Sequence, residues 1–215
     1  MTAVARKTPG ETRERLLHTA LRLYAAEGLH AVSLRRISAE AGSKNSAAMH
    51  YHFDNKLGVV QALMTMIGDE LQDKARDIRR RRRVERNLRD ACREALMPLV
   101  QLRADKPWGG DAVRFLSRLV SENDPELAAL INDMFAPFWR RLDGALSRAV
   151  PELPGEVRRL RLMFISVNVF HGMAEVGWLS RSPVGDLGHF DSDALLDHLV
   201  DYLIGGLVAP SHAGA

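Results

Sequence analysis

Apolar residues recur along this chain at helical spacing, and no segment alternates apolar and polar residues for long. We therefore expect helices and no strands. A first apolar repeat runs from Leu16 to Tyr24, and the helix that it predicts should stop at Gly28. A second begins at Ser33 and ends at Gly42, and a short third stretch after a polar turn ends at Phe53. The pattern predicts three short helices in the first quarter of the chain.

Longer helices are predicted after this segment. Pro98 and Pro137 are expected to bend two of them, and Asp124-Pro125 has the residues of a helix cap followed by proline at the first helical position. We predict an all-α fold with a three-helix domain at 11–57 (the head) and a larger helical domain at 58–208 (the body). A flexible basic arm is expected at 1–10 and a disordered tail at 209–215. The predicted body helices cover about Asp54 to Arg79, Glu85 to Leu102, Asp111 to Glu122, Pro125 to Val150, Glu156 to Leu179 and Asp191 to Val208.

Charge is unevenly distributed along the 215 residues. Through residue 60, nine Lys or Arg face five Asp or Glu, although the whole chain carries only +3. A basic head on a nearly neutral body suits a protein that meets phosphate at one end.

Cellular location and cofactor chemistry are constrained mainly by what the sequence lacks. The single cysteine, Cys92, has no second cysteine to pair with, which favours a reducing cytoplasm. We expect no signal peptide and no membrane span, since no apolar run approaches about 20 residues. We also expect no metal or cofactor: His50 and His52 are two apart and do not face each other on a helix, and no phosphate-binding loop or nucleophile motif is present.

The spacing of the three short helices is typical of a helix-turn-helix that binds double-stranded DNA. Leu34, Ile37, Met49 and Phe53 are expected to hold the last two helices together, and Gly42 to give the turn its backbone freedom. The start of the third helix should reach base edges, while basic and aromatic residues around it suit phosphate oxygens. The expected DNA-binding residues are Arg35, Arg36, Ser43, Lys44, Asn45, Ser46, His50, Tyr51 and Lys56, with the helix-turn-helix at Leu34 to Phe53.

The head resembles the DNA-binding domain of the tetracycline-repressor (TetR) family of bacterial transcriptional regulators. The residues that carry the resemblance are Ser33-Leu34-Arg35-Arg36-Ile37, Ala41-Gly42 and Tyr51-His52-Phe53 with Lys56. Two departures stand out: the run from Gly42 to Phe53 is one residue longer than the commonest family pattern, and His50 stands where the family usually has a tyrosine. The resemblance implies a homodimer that pairs through the two C-terminal helices, with operator DNA and a small-molecule effector as partners.

Pairing residues in the body can be suggested from its apolar stripes. The last two helices carry more apolar positions than one small monomer needs, which favours a dimer interface. The same residues could instead be internal core. The interface candidates are Leu160, Phe164, Val167, Leu195, Leu199 and Leu203.

Large and polar side chains of the body are the candidates for binding an effector. Aromatic and Met residues can line an apolar cavity but are more often plain core. Asn168, His171 and Glu175 share one helix face and could orient a ligand or bond across a dimer. Arg118 could hold a carboxylate or phosphate, or be solvated. The expected effector-binding residues are Trp108, Phe115, Arg118, Met134, Phe138, Phe164, Asn168 and His171.

Five consecutive arginines, Arg79 to Arg83, could attract DNA, hold an acidic ligand such as a coenzyme A thioester, or be solvated. The interpretation that covers all these features is a ligand-responsive transcriptional repressor, with an acyl compound as the expected effector. The alternatives are an architectural DNA-binding protein that senses nothing and an all-α enzyme.

Overall fold

Helices make up nearly all of the part of the chain that the structure, a computed structural model, describes: residues 9–43, 47–81, 87–122, 124–175, 183 and 191–210. The all-α expectation is confirmed. In chain order the helices are α1 (Pro9–Glu27), α2 (Leu34–Glu40), α3 (Ala47–Phe53), α4 (Lys56–Arg81), α5 (Leu88–Asp105), α6 (Gly109–Ser121), α7 (Pro125–Ala149), α8 (Gly155–Ala174) and α9 (Ser192–Val208).

The helices of the head end where the sequence places its glycines. Gly28 follows α1 with φ 86°, and Gly42 follows α2 with φ 67°, a backbone region in which glycine carries no Cβ penalty. Ser33 caps α2, and its Oγ accepts a hydrogen bond from the Arg36 amide at 3.2 Å. Local sequence signals therefore determine the lengths of α1 and α2.

Helix boundaries in the body follow the same logic, with some differences from the sequence prediction. Asp124 caps α7 as expected, since its Oδ1 accepts from the amides of Glu126 and Leu127 at 2.8 and 3.1 Å. Asn87 caps α5, so this helix begins at Leu88. Pro98 and Pro137 each lie inside one continuous helix, α5 and α7.

Two further helix ends differ from the sequence prediction. Helix α1 begins at Pro9, inside the segment 1–10 that was expected to be an arm; residues 1–8 lie outside the described part. Helix α8 ends at Ala174 rather than Leu179, with the Glu175 amide donating to the His171 carbonyl at 3.0 Å as the last helical bond. The remainder of that prediction, and of the tail after residue 210, also falls outside the described residues.

One continuous apolar core joins the head to the body. Leu16, Leu21 and Ile37 are fully buried in the head, and Leu102 and Leu116 are fully buried in the body. Helix α4 belongs to both, because it leaves the head at Lys56 and packs on α5 and α7 further along. Helix α6 packs directly on α1. The head is therefore attached to the body through two helices, α4 and α6.

Candidate nucleic-acid interface and body cavity

The helix-turn-helix is held together by the apolar residues expected from its sequence. Ile37 and Met49 are fully buried, Phe53 is nearly so, and Leu34 packs against the same core. The Arg13 guanidinium lies over the Phe53 ring, 5.2 Å from its centroid, a cation–π distance. This core fixes α3 against α2 and determines which residues of α3 face outward.

Two exposed residues lie on the surface of the head. The Tyr51 side chain is 82% exposed, and its ring meets the His52 ring edge-on with 5.0 Å between centroids. Arg35 is exposed on α2. A phenol and a guanidinium in these positions can donate to phosphate oxygens without first breaking an internal contact. The expected base-reading residues Lys44, Asn45 and Ser46 lie outside the described residues, and Ser43 is half-buried with its amide bonded to the Ser38 carbonyl.

Arg36 is engaged inside the head, which differs from the phosphate contact expected from the sequence. Its two terminal nitrogens donate to the Glu27 carboxylate at 2.5 and 2.7 Å, and its Nε donates to Glu40 at 3.1 Å. The hydrogen bond from Arg36 lowers the pKa of Glu27, and hydrogen bonds from Arg22 first and Arg36 second lower the pKa of Glu40. Arg36 joins α1 to α2, a bidentate role that guanidinium geometry favours.

Lys56 and His50 also make internal contacts. The Lys56 Nζ donates to the Leu29 carbonyl at 2.9 Å and so ties the start of α4 to the loop after α1. The His50 Nδ1 lies 2.7 Å from the Asp54 carbonyl oxygen. Because a carbonyl only accepts, Nδ1 carries the proton. Asp54 has φ 65°, a left-handed conformation that Asp tolerates, so His50 braces a tight turn at the end of α3.

The junction of head and body involves two residues that the sequence suggested for the effector. The Phe115 ring is fully buried and stacks on Tyr24 of α1, with 6.3 Å between centroids. Arg118 donates through Nε to the Ala25 carbonyl at 2.8 Å and through Nη2 to the Ala26 carbonyl at 2.9 Å. These carbonyls are the unsatisfied acceptors of the last turn of α1, where a cation is favourable. Phe115 and Arg118 therefore connect α6 to the head.

A cavity of about 260 Å³ lies between α4, α5 and α7. Its apolar wall is formed by Ala75, Ala95, Pro137 and Phe138, and its polar wall by arginines and Glu94. Of the eight residues expected to bind an effector, Phe138 lines this cavity.

The other expected effector residues are distributed over the body rather than gathered at the cavity. Trp108 packs near His18 of the head, with 6.0 Å between ring centroids, and Met134 lies against Gly68 of α4. Phe164 is 53% exposed, and the Asn168 side-chain Nδ2 donates to the Phe164 backbone carbonyl of its own helix. The His171 Nδ1 lies 2.9 Å from the Ser117 hydroxyl. Helical periodicity placed these residues on faces but could not tell which faces meet.

The outer face of α8 carries a row of exposed apolar side chains. Leu160, Met163, Phe164 and Val167, spaced as one helix face, are each between 42 and 53% exposed. Tyr202 and Val208 of α9 are exposed as well. Leu203 belongs to the internal core at 4% exposure, so its proposed interface role was wrong, and Leu195 and Leu199 are half-buried.

No helix in the described ranges is long and apolar enough to span a bilayer. Within the same residues, no three His, Cys, Asp or Glu side chains come together as a metal site.

Comparison with known proteins gives the same two-part division. The family model for bacterial regulatory proteins of the tetR family matches residues 16–63, and the model for the tetracyclin repressor-like C-terminal domain matches residues 93–206. Two curated relatives from Pseudomonas putida, the HTH-type transcriptional regulator SrpR and the uncharacterized HTH-type transcriptional regulator TtgW, are each 38% identical over 64 residues. The matched segment covers 28% of this chain but only 30% and 47% of those two proteins, so their activities are not transferred as a whole.

Structures of similar fold cover nearly the whole chain. A TetR-family transcriptional regulator from Bordetella parapertussis aligns with TM-score 0.65 and 15% identity over 94% of this chain and 98% of that one. The regulator FadR from Bacillus subtilis, in complex with stearoyl-CoA, aligns with TM-score 0.61 and 14% identity over 90% and 98%. A Saccharomonospora viridis protein in complex with choline aligns with TM-score 0.60 and 20% identity over 91% and 94%. These likenesses establish a shared fold.

The two family models identify the family, because the C-terminal domain model alone covers more than half of the chain. Members of this family are transcriptional regulators and not enzymes, which removes the all-α enzyme from the alternatives raised by the sequence. The chain is a DNA-binding transcriptional regulator of the TetR family.

Proposed function

We propose that this regulator is a homodimeric repressor that releases its operator when a small molecule binds in the body. The observation that carries the proposal is the double attachment of the head, through α4 and through the contacts of Phe115 and Arg118 with α1. A head held this way cannot keep its position when α4 or α6 shifts. A ligand that favours one arrangement of the body would therefore change the spacing of two heads on DNA.

Homodimerisation is supported by the exposed apolar face of α8. Four large apolar side chains in one stripe are costly to leave in water and suit burial against a second copy. A helix-turn-helix dimer contacts two half-sites about one DNA turn apart, so pairing also determines which operators fit. The proposed interface comprises α8 and the exposed residues of α9.

An effector site is supported by the α4–α5–α7 cavity. Since α4 begins in the head and lines the cavity with residues of its second half, occupancy could be transmitted along a single helix. The similar folds that hold stearoyl-CoA and choline support a small organic effector without indicating which one. A regulator of this kind acts where the chromosome lies, so we propose a cytoplasmic location.

The proposal is tested by binding of a labelled duplex from the promoter region upstream of the gene. Tyr51→Ala combined with Arg35→Ala should weaken binding about tenfold or more, since two phosphate contacts are lost. Arg140→Ala, which removes an exposed arginine of α7, is the matched control and should change little. Equal losses in the two variants would contradict the proposed interface. Binding that no small molecule weakens in a screen, with intact sequence preference, would contradict the effector part and favour an architectural role.

A further inference from the structure

The polar wall of the α4–α5–α7 cavity carries an excess of positive charge. Three guanidiniums line it, from Arg76 and Arg79 on α4 and Arg141 on α7, together with a single carboxylate, that of Glu94 on α5. Arg76 is paired with Asp73 of its own helix. Arg79 and Arg141 remain, both of them exposed to solvent, and they face one acid.

Glu94 is positioned to neutralise only part of this charge. Its carboxylate is 7% exposed, and its Oε2 lies 3.5 Å from the nearer terminal nitrogen of Arg141. That ion pair accounts for one of the two arginines. The charge of Arg141 repels Arg79, and the pKa of Arg79 is lowered by its partial burial first and by Arg141 second, with Glu94 acting in the opposite direction. An anion between the two guanidiniums would relieve this repulsion.

The opposite wall of the same cavity is apolar. Pro137 and Phe138 come from α7, beside Arg141, and Ala75 and Ala95 come from α4 and α5. A ligand that fits both walls has an anionic group at one end and a short hydrocarbon part at the other. At about 260 Å³ the cavity lies just below the range of about 300–1,000 Å³ that holds drug-sized ligands, so the whole of a coenzyme A thioester does not fit.

We propose that the α4–α5–α7 cavity binds a small amphiphilic anion, a carboxylate or a phosphate monoester, whose charged group lies between Arg79 and Arg141 and whose apolar part packs on Phe138. The inference rests on the proposed function, because it specifies the chemical class of the effector. Glu94 then has a defined role: it holds Arg141 in the absence of ligand and competes with the anion for it. This role separates the proposal from a merely structural ion pair.

The test uses the full-length protein and three probes with the same chain length: octanoate, octyl phosphate and neutral octan-1-ol. Isothermal titration should show binding of at least one anion and binding of octanol that is weaker by about tenfold, the difference expected from a charge-assisted hydrogen bond. Preference for one of the two anions identifies the charged group. Failure of both anions to bind, or equal binding of octanol, overturns the proposal.

Variants distinguish the residues. Arg79→Gln and Arg141→Gln should each weaken anion binding about tenfold, whereas Arg140→Gln, which changes the exposed neighbour outside the cavity, should leave it unchanged. Glu94→Gln should strengthen anion binding several-fold because the competing carboxylate is gone. Weaker anion binding in Glu94→Gln with an unchanged circular dichroism spectrum would overturn the proposal, as would equal effects of Arg140→Gln and Arg141→Gln.

Operator binding by the same samples separates this inference from the proposed function. If an anion binds through Arg79 and Arg141 yet leaves operator binding unchanged, the cavity assignment stands and effector-driven release fails. If operator binding responds to other compounds while neither anion binds, the proposed function stands and the anion site is wrong.

Discussion

The head and the body are both built from amphipathic helices, yet their sequences carry different amounts of information. In the head, the local roles that the sequence predicted for Ser33, Gly42 and Phe53 are found in the structure. Ser33 begins α2, Gly42 follows its end with a positive φ, and Phe53 is buried. In the body, apolar stripes predicted the helices, but the side chains expected to form one effector site are spread over several places. The comparison teaches that short-range contacts are encoded in local spacing, whereas the choice between helix faces is made by packing over long distances.

The proposed dimer face on α8 offers the strongest way to sharpen this comparison, since the apolar stripe in the sequence includes three of its exposed residues, Leu160, Phe164 and Val167. Phe164→Glu places a charge on the exposed face of α8 without touching the core. If α8 pairs two copies, the variant should be monomeric by analytical ultracentrifugation and lose about 10²–10⁴-fold in operator affinity, the advantage of two linked half-site contacts. Ala128→Glu, on an exposed position of α7, is the control and should stay dimeric. A dimeric Phe164→Glu would mean that α8 faces solvent.

Phe115 separates the two interpretations of a buried aromatic residue. Because it is fully buried and stacked on Tyr24, Phe115→Ala should lower the free energy of unfolding by about 3–5 kcal/mol in a urea titration. Phe138→Ala, at a half-buried position that lines the cavity, should cost distinctly less. A similar cost for both variants would remove the distinction between core and cavity residues.

Arg118 tests whether the head depends on α6. Arg118→Ala removes two hydrogen bonds to the last carbonyls of α1 and should cost about 1.5–3 kcal/mol of stability, the range for hydrogen bonds to a charged group, together with a loss of operator affinity. Arg114→Ala, one turn earlier, breaks an exposed pair with Asp111 of its own helix and should cost less than about 1 kcal/mol. Unchanged operator affinity in Arg118→Ala would indicate that α4 alone positions the head.

The two neighbouring arginines of α2, Arg35 and Arg36, should give the smallest effects. They distinguish a contact with DNA phosphate from an ion pair inside the head. Arg35→Gln should reduce the slope of log affinity against log salt by about one and leave stability unchanged, as for a phosphate contact. Arg36→Gln should instead lower stability, because it releases Glu27 and Glu40. If Arg36→Gln alters only the salt slope, its internal ion pairs do not persist in solution.

The contribution of Arg36 should also depend on pH. The pKa values of Glu27 and Glu40 are lowered in the folded protein, so their stabilisation is complete above the unfolded value of about 4.3 and disappears as the pH falls through the folded values. The stability difference between wild type and Arg36→Gln should accordingly be constant near pH 7 and shrink below about pH 4. A difference that grows towards low pH would contradict this assignment.

How far the sequence could predict the structure depends on the distance over which each feature is determined. The fold, the glycine stops and the packing of Ile37 and Met49 follow from spacing within a few turns. The partners of Arg36 and Lys56 could not be foreseen, because a surface arginine or lysine looks the same whether it meets phosphate or a neighbouring helix. The contacts of Phe115 and Arg118 with the head could not be foreseen, because helical periodicity does not show that α6 lies on α1.

The α4–α5–α7 cavity is a second feature that could not be predicted from local spacing in the sequence. The arginine run that begins at Arg79 stood out in the sequence, but its chemistry depends on Glu94 and Arg141, which lie far along the chain. Only the packing of α5 and α7 on α4 brings these three charges together.

The central claim, that the head reads a specific operator, is tested most directly by a competition titration. The protein is bound to a labelled duplex from its own promoter region, and the unlabelled duplex is compared with a scrambled duplex of the same composition at fixed salt. The account predicts that the promoter duplex competes at a concentration about 10³-fold or more below that of the scrambled one, the lower range for specific regulators. Equal competition by the two duplexes would contradict it.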